Sequence, residues 1–291
     1  MSVKEATFDR LETSYKALLK YPIASIPVSA LTTIDMQKYI NTLAQEGYSL
    51  STIKKQFHLI GAYINYANGE GVAIRPICNN VTLPSRTQLK TRRQQLEIQS
   101  YTKAEEIALR RVPKTADRPG YYAALLMLET GLRIGECLAL TWSDILWERK
   151  ALSVNKTLIR IANKHKIEVQ KGAKSHTSNR IVPLSKEASR ILEELAENTN
   201  YPEGYIFHDE EGKPMSYEAM RYQIQIACKD AKVPYKGQHV FRHTFATNCY
   251  NRGADVKILS KILGHSEVSI TFNVYIHLFG DALEEMRNVV G

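Results

Sequence analysis

Residues 130–136 read Thr130-Gly131-Leu132-Arg133-Ile134-Gly135-Glu136. This stretch reads as a turn that presents an arginine between two helical segments, 118–130 and 133–140. The first segment contains the longest largely apolar run of the chain, Tyr121 to Leu128. That run is too short to cross a bilayer and suits a buried helix. Upstream, Thr102-Lys103-Ala104-Glu105 has the spacing of a capping box and opens the helical region. Downstream, residues 151–183 change character. Short β-prone runs at Ala151–Val154, Leu158–Ile161, Lys166–Gln170 and Arg180–Leu184 predict a small antiparallel meander, with a basic hairpin tip at Lys171–Asn179. Helical patterns resume at Ser185–Glu197, Ser216–Lys232, Val240–Arg252, Val256–Leu263 and near Ser269–Leu278, and a short one closes the chain at Asp281–Asn288.

The first 83 residues read as a separate helical unit. Phe8, Leu11, Tyr15, Leu18 and Leu19 recur at helical spacing until Pro22. A second run follows Thr33, with Met36, Tyr39, Ile40 and Leu43 on one face. Ser51 is placed to cap a third, which carries Ile53, Phe57, Ile60, Tyr63, Ile64 and Ala67 and shows Lys54, Lys55 and His58 on its early turns. Residues 84–100 are polar and basic without apolar periodicity, as an interdomain linker would be. The expected organisation is therefore a helical domain over 1–83, a linker over 84–100 and a mixed domain over 101–291, with a tail at 281–291. The fold class is mainly α with a small antiparallel β-sheet.

The 291 residues include 39 Lys+Arg against 30 Asp+Glu, and the excess is concentrated. Arg149 to Arg180 holds nine bases and one acid, Glu168; Arg86 to Arg93 holds four bases and no acid. Ile181 to Glu218 reverses this, with nine acids and three bases. Localised positive segments fit a polyanionic partner. Cys78, Cys137, Cys228 and Cys249 form no Cys-x-x-Cys pair and read as small buried hydrophobes of a reducing compartment. Met1 to Arg10 contains no apolar signal core, so a cytoplasmic, nucleoid-associated protein without a membrane partner is expected. No phosphate-binding or dinucleotide fingerprint occurs, the histidines lack zinc spacings, and no carboxylate cluster suggests a two-metal site. No cofactor is expected.

Four further blocks follow residues 130–136 in order. They are Lys174 ahead of Arg180-Ile181-Val182-Pro183-Leu184, His239-Val-Phe-Arg242-His243-Thr-Phe-Ala-Thr247, Leu263-Gly264-His265, and Tyr275-Ile276-His277. The ordered set resembles the tyrosine recombinase (phage integrase) family over essentially the whole chain, most strongly from about residue 100 onward. The resemblance implies a core-binding domain followed by a catalytic domain. Position by position, it makes Arg133, Lys174, His239, Arg242 and His265 the basic residues of the active site, Tyr275 the nucleophile and Glu136 a supporting acid. Lys171 is the rival to Lys174. Tyr275, one of sixteen tyrosines, stands ten residues after His265. His243 and His277 read as packing or supporting residues, and Tyr250 and the Tyr121–Tyr122 pair as core.

The chemistry suits these residue types. Attack on a phosphodiester builds charge on its non-bridging oxygens, which two guanidiniums can grip with paired donors. A tyrosine hydroxyl, with a pKa of about 10, needs a base, for which His239 is the candidate. The leaving 5′ oxygen needs a proton, for which Lys174 is the candidate. Positive charge is expected from Arg133, Arg242, Lys174 and the histidines. The product would be a 3′-phosphotyrosyl link, formed without metal or ATP.

The family further implies double-stranded DNA gripped by both domains. The basic linker would cross the backbone, and Lys54, Lys55, Arg86, Lys90, Arg92, Arg93 and Lys171 are the candidate DNA contacts. It also implies a homotetramer on two sites exchanging strands through a four-way junction, with accessory DNA-bending or directionality factors as further partners. A mobile-element integrase is the leading expectation. Many integrases carry an additional N-terminal arm-binding domain, whereas here the chain opens at the core-binding unit. The alternatives are a type IB topoisomerase-like strand transferase and a catalytically decayed DNA-binding regulator.

Overall fold

The computed structural model describes residues 5–72, 76–85, 89, 100–112, 118–161, 166–171, 179–198 and 203–265. It is mostly helical, with two small sheets. The chain divides into two compact units, the first including Glu5 to Leu89 and the second beginning before Ser100. None of the described helices is long and apolar enough to cross a membrane.

In the first unit, α1 (Glu5–Leu18) and α2 (Thr33–Gln45) pack against the long α3 (Leu50–Gly69). Thr32 accepts the bond that starts α2, from Asp35 N, and Ser49, rather than the expected Ser51, accepts the one that starts α3, from Thr52 N, each at 3.2 Å. Met36, Tyr39, Ile40 and Leu43 meet Ile53, Ile60 and Ile64 in the core, and Leu89, beyond the expected boundary, is buried among them. Along and just after α1, Phe8, Leu11, Tyr15 and Leu19 are exposed, while Asp9 is buried. Periodicity gives the helix but not the side that faces the core.

The second unit is organised around α5 (Pro119–Thr130), in which Gly120 to Leu128 are all buried. It packs against α6 (Ile134–Ala139), α7 (Lys186–Asn198), α8 (Tyr217–Asp230) and α9 (Gln238–Asn251), while α10 (Val256–Leu263) packs on α9. The capping box expected at Thr102 opens α4 (Lys103–Arg111): Thr102 Oγ1 accepts from Glu105 N, and Thr102 N donates back to Glu105 Oε2 at 2.7 Å.

The strands depart from the expected meander. A short strand, β1 (Ile145–Leu146), pairs antiparallel with β2 (Ala151–Val154), and β2 pairs antiparallel with β5 (Arg180–Pro183). The intervening β3 (Lys156–Ile161) and β4 (Lys166–Lys171) form a separate pair. The neighbour of β2 is thus the third strand after it in the sequence, in register Leu152 with Val182 and Val154 with Arg180. Local patterning identifies strands but not this non-consecutive partner. The expected helices beyond His265 and most of the expected linker and hairpin tip lie outside the described residues.

Candidate active site

The site is built from the ends of helices. Gly131 caps α5 in the left-handed region (φ 66°), and its N–H donates back to Met127 O at 3.0 Å. Arg133 then stands at the N-cap of α6. Gly264 caps α10 with the same φ of 66°, and His265 follows. A side chain on Gly131 would lie 2.4 Å from Phe245 Cδ1, so the turn is closed by both conformation and packing.

Arg242, on the second turn of α9, ties these two ends together. Its Nη1 donates to Gly131 O at 2.8 Å and its Nη2 to Leu263 O at 2.6 Å. Arg133 Nη2 reaches across to Gly264 O at 3.2 Å, and Nη1 donates to Glu136 Oε1 at 2.8 Å. Glu136 also accepts from Arg133 N at 2.9 Å, fixing the start of α6. Arg242 Nη1 lies 4.0 Å from Glu136 Oε2. Two guanidiniums, from segments more than 100 residues apart, therefore share one small region with one carboxylate.

Arg180 is the member of the site that sequence reading missed. Its guanidinium donates to both Glu136 oxygens, at 3.0 and 2.8 Å, and its Nε to Ile262 O at 2.6 Å. The available signal was the alternation along β5. Period two puts Arg180 on the side of fully buried Val182 and opposite to exposed Ile181.

Charge sets the protonation states. Burial alone would raise the Glu136 carboxyl, but the bond and charge of Arg180 and the charge of Arg133 outweigh it, holding the pKa at about 2. Burial, then the guanidiniums of Arg242, Arg133 and Arg180, push His265 down to about 4. His243 falls to about 4 through burial, His239 and Arg242. His239, on the first turn of α9, is lowered by partial desolvation of its ring and by Arg242 and Arg133. These shifts run against the expectation that the histidines supply positive charge. Burial first, and then the neighbouring arginines, oppose protonation of these rings at neutral pH.

A titration follows from this. His265 should titrate near 4 by NMR, well below the usual 6.5. Its folded pKa lies below the unfolded one. From about pH 6.5 down toward 4 the unfolded chain therefore binds protons that the folded chain refuses, and stability should fall with pH over that window. A His265 midpoint near 6.5 would show that the ring is neither buried nor faced by the guanidiniums.

The structure thus brings together Arg133, Glu136, His239, Arg242 and His265. Lys174 and Tyr275 lie outside the described residues, as do Arg86, Lys90, Arg92 and Arg93. Lys171 ends β4. Lys54 and Lys55 are exposed on α3 of the first unit. Tyr121 and Tyr122 are core residues, and Tyr250 packs at the edge of a small cluster with Ala246, Leu259 and Leu263. The four cysteines are free thiols. Among the described residues no group of three His, Cys, Asp or Glu side chains is placed to hold a metal ion.

Comparison with known proteins gives a consistent result. Residues 96–281 match the model of the phage integrase family. A tyrosine recombinase XerC-like protein of Caldanaerobacter subterraneus subsp. tengcongensis is 30% identical, over 96% of this chain and 75% of its own length. An integrase of Staphylococcus phage L54a is 25% identical over 94% of this chain and 83% of its own. Among solved structures, the Tn1549 transposon integrase in complex with a circular intermediate DNA shares the fold (TM-score 0.79, 23% identity, 99% of this chain and 95% of that one). So does a lambda integrase tetramer bound to a Holliday junction (TM-score 0.63, 16% identity, 94% and 72%). The chain belongs to the phage integrase family of tyrosine-type site-specific DNA recombinases.

Proposed function

We propose that this recombinase cuts and rejoins duplex DNA through a 3′-phosphotyrosyl intermediate, using no metal and no nucleotide. The observation that carries the reading is the pair Arg133 and Arg242, fixed beside each other by Glu136 and by the carbonyls of Gly131, Leu263 and Gly264. Such a pair suits the two non-bridging oxygens of one phosphodiester, where charge grows during attack. Because the guanidiniums are pre-placed, little reorganisation accompanies the step.

Tyr275 attacks the phosphorus, and the new P–O bond to tyrosine forms as the P–O5′ bond breaks. Neutral His239 accepts the tyrosine proton; its depressed pKa keeps it available as a base at neutral pH. Lys174 gives a proton to the departing 5′ oxygen. His265 donates to the phosphate from the end of α10. The phosphoester energy is conserved in the adduct, so a 5′ hydroxyl from a partner strand reverses the step without ATP. Lys54 and Lys55 on one unit and the basic residues Arg86, Lys90, Arg92, Arg93 and Lys171 contact the DNA backbone. Four protomers join two sites, as in the lambda integrase tetramer bound to a Holliday junction. The substrate would be cytoplasmic DNA, and the similarity to phage and transposon integrases points to a mobile element.

The test is a nicked half-site that traps the adduct, run in excess EDTA without nucleotide. Cleavage should persist unchanged, and peptide mapping should place the DNA on Tyr275. Complete loss of cleavage, restored by divalent metal at constant DNA affinity, would replace this reading with a metal-dependent nuclease.

A further inference from the structure

Arg180 takes no part in the chemistry above, yet its guanidinium lies within the site. Its side chain is 6% exposed, and its planar fork spans Glu136 on α6 and Ile262 at the end of α10. Gly264, next to His265, packs directly on it: a Cβ there would lie 3.0 Å from Arg180 Nη1. Glu136 Oε1 is shared between Arg133 Nη1 at 2.8 Å and Arg180 Nη1 at 3.0 Å. Arginine and carboxylate prefer a bidentate pair. Beside Arg133 alone, Glu136 would draw that guanidinium onto both of its oxygens and away from a phosphate. Arg180 occupies both oxygens instead, so Arg133 makes a single side-chain bond to Glu136 and keeps Nη2 on Gly264 O.

Building on the phosphoryl-transfer reading, we propose that Arg180 is a positioning residue, which clamps Glu136 and the 262–264 turn so that Arg133 and His265 are presented to the scissile phosphate. Lysine cannot replace it, because a single ammonium cannot hold two carboxylate oxygens and a carbonyl in one plane.

The experiment compares wild type, Arg180→Lys and Arg180→Met in single-turnover cleavage of a nicked site. Arg180→Lys should lose about 10- to 100-fold in rate, the range typical when an outer-shell partner of an active-site group is removed, with half-site affinity unchanged. A second substrate carries a methyl group in place of one non-bridging oxygen. This neutral phosphonate depends less on the guanidiniums, so the gap between variant and wild type should narrow. A folding defect would slow both substrates alike. Glu136→Gln should show the same pattern, and the double variant should be no slower than the slower single, since both act along one path. Losses that multiply, equal losses on both substrates, or a wild-type rate would overturn the proposal. So would failure of both Arg180 variants to fold, which would assign the residue to stability alone. A wild-type protein that forms no adduct removes the parent reading. A wild-type protein that cleaves while Arg180→Lys matches it overturns this proposal alone.

Discussion

Tyr275→Phe should abolish the covalent protein–DNA adduct while leaving half-site binding and thermal stability as in wild type. The substitution removes one oxygen, and with it the only atom proposed to bond to phosphorus. A water molecule recruited in its place would hydrolyse the strand rather than store the bond, so recombination would be lost even with residual cutting. The comparison requires a suicide substrate, denaturing separation of adduct from free DNA, and a parallel binding titration. An adduct that survives in the variant, or that maps to Tyr250, would move the nucleophile elsewhere.

Arg242→Ala should be nearly as severe and should differ in kind. Removing one pre-placed donor to a developing oxyanion costs about 100- to 1000-fold in rate. Arg242 is also 93% buried by side-chain area, and its loss would strip charged donors from Gly131 O and Leu263 O. Each such bond contributes about 1.5–3 kcal/mol, so a stability loss of about 3–6 kcal/mol is expected alongside the kinetic one. Arg242→Lys separates the two effects. It restores a positive charge and part of the stability, but it cannot grip two oxygens as a planar fork and should stay slow. Cleavage within tenfold of wild type in the alanine variant would remove Arg242 from the phosphate site.

Much of this was legible in the sequence, for identifiable reasons. The turn at Gly131, the arginine it presents between two helices, the helix carrying His239 and Arg242, and the Gly264 helix end are local features, and local spacing encodes them. The pairing of β2 with β5 was not legible, because nothing within either strand names a partner across the β3–β4 excursion. The outward face of α1 was missed because apolar periodicity does not tell a core from an exposed surface. Arg180 was passed over because it reads as the polar first residue of a strand. Its importance comes from a carboxylate 44 positions earlier. The lowered pKa of His265 was also out of reach, since it depends on how folding buries the ring and crowds Arg242, Arg133 and Arg180 around it.

The bonds that assemble the arginine pair join residues 111 and 131 positions apart. Contacts of such long range cannot form within a short emerging segment. A nascent or half-unfolded chain could bind DNA through its basic stretches without owning a phosphate grip. Only the completed domain would be armed, which protects a genome from an enzyme whose own synthesis and decay must pass through partly folded forms.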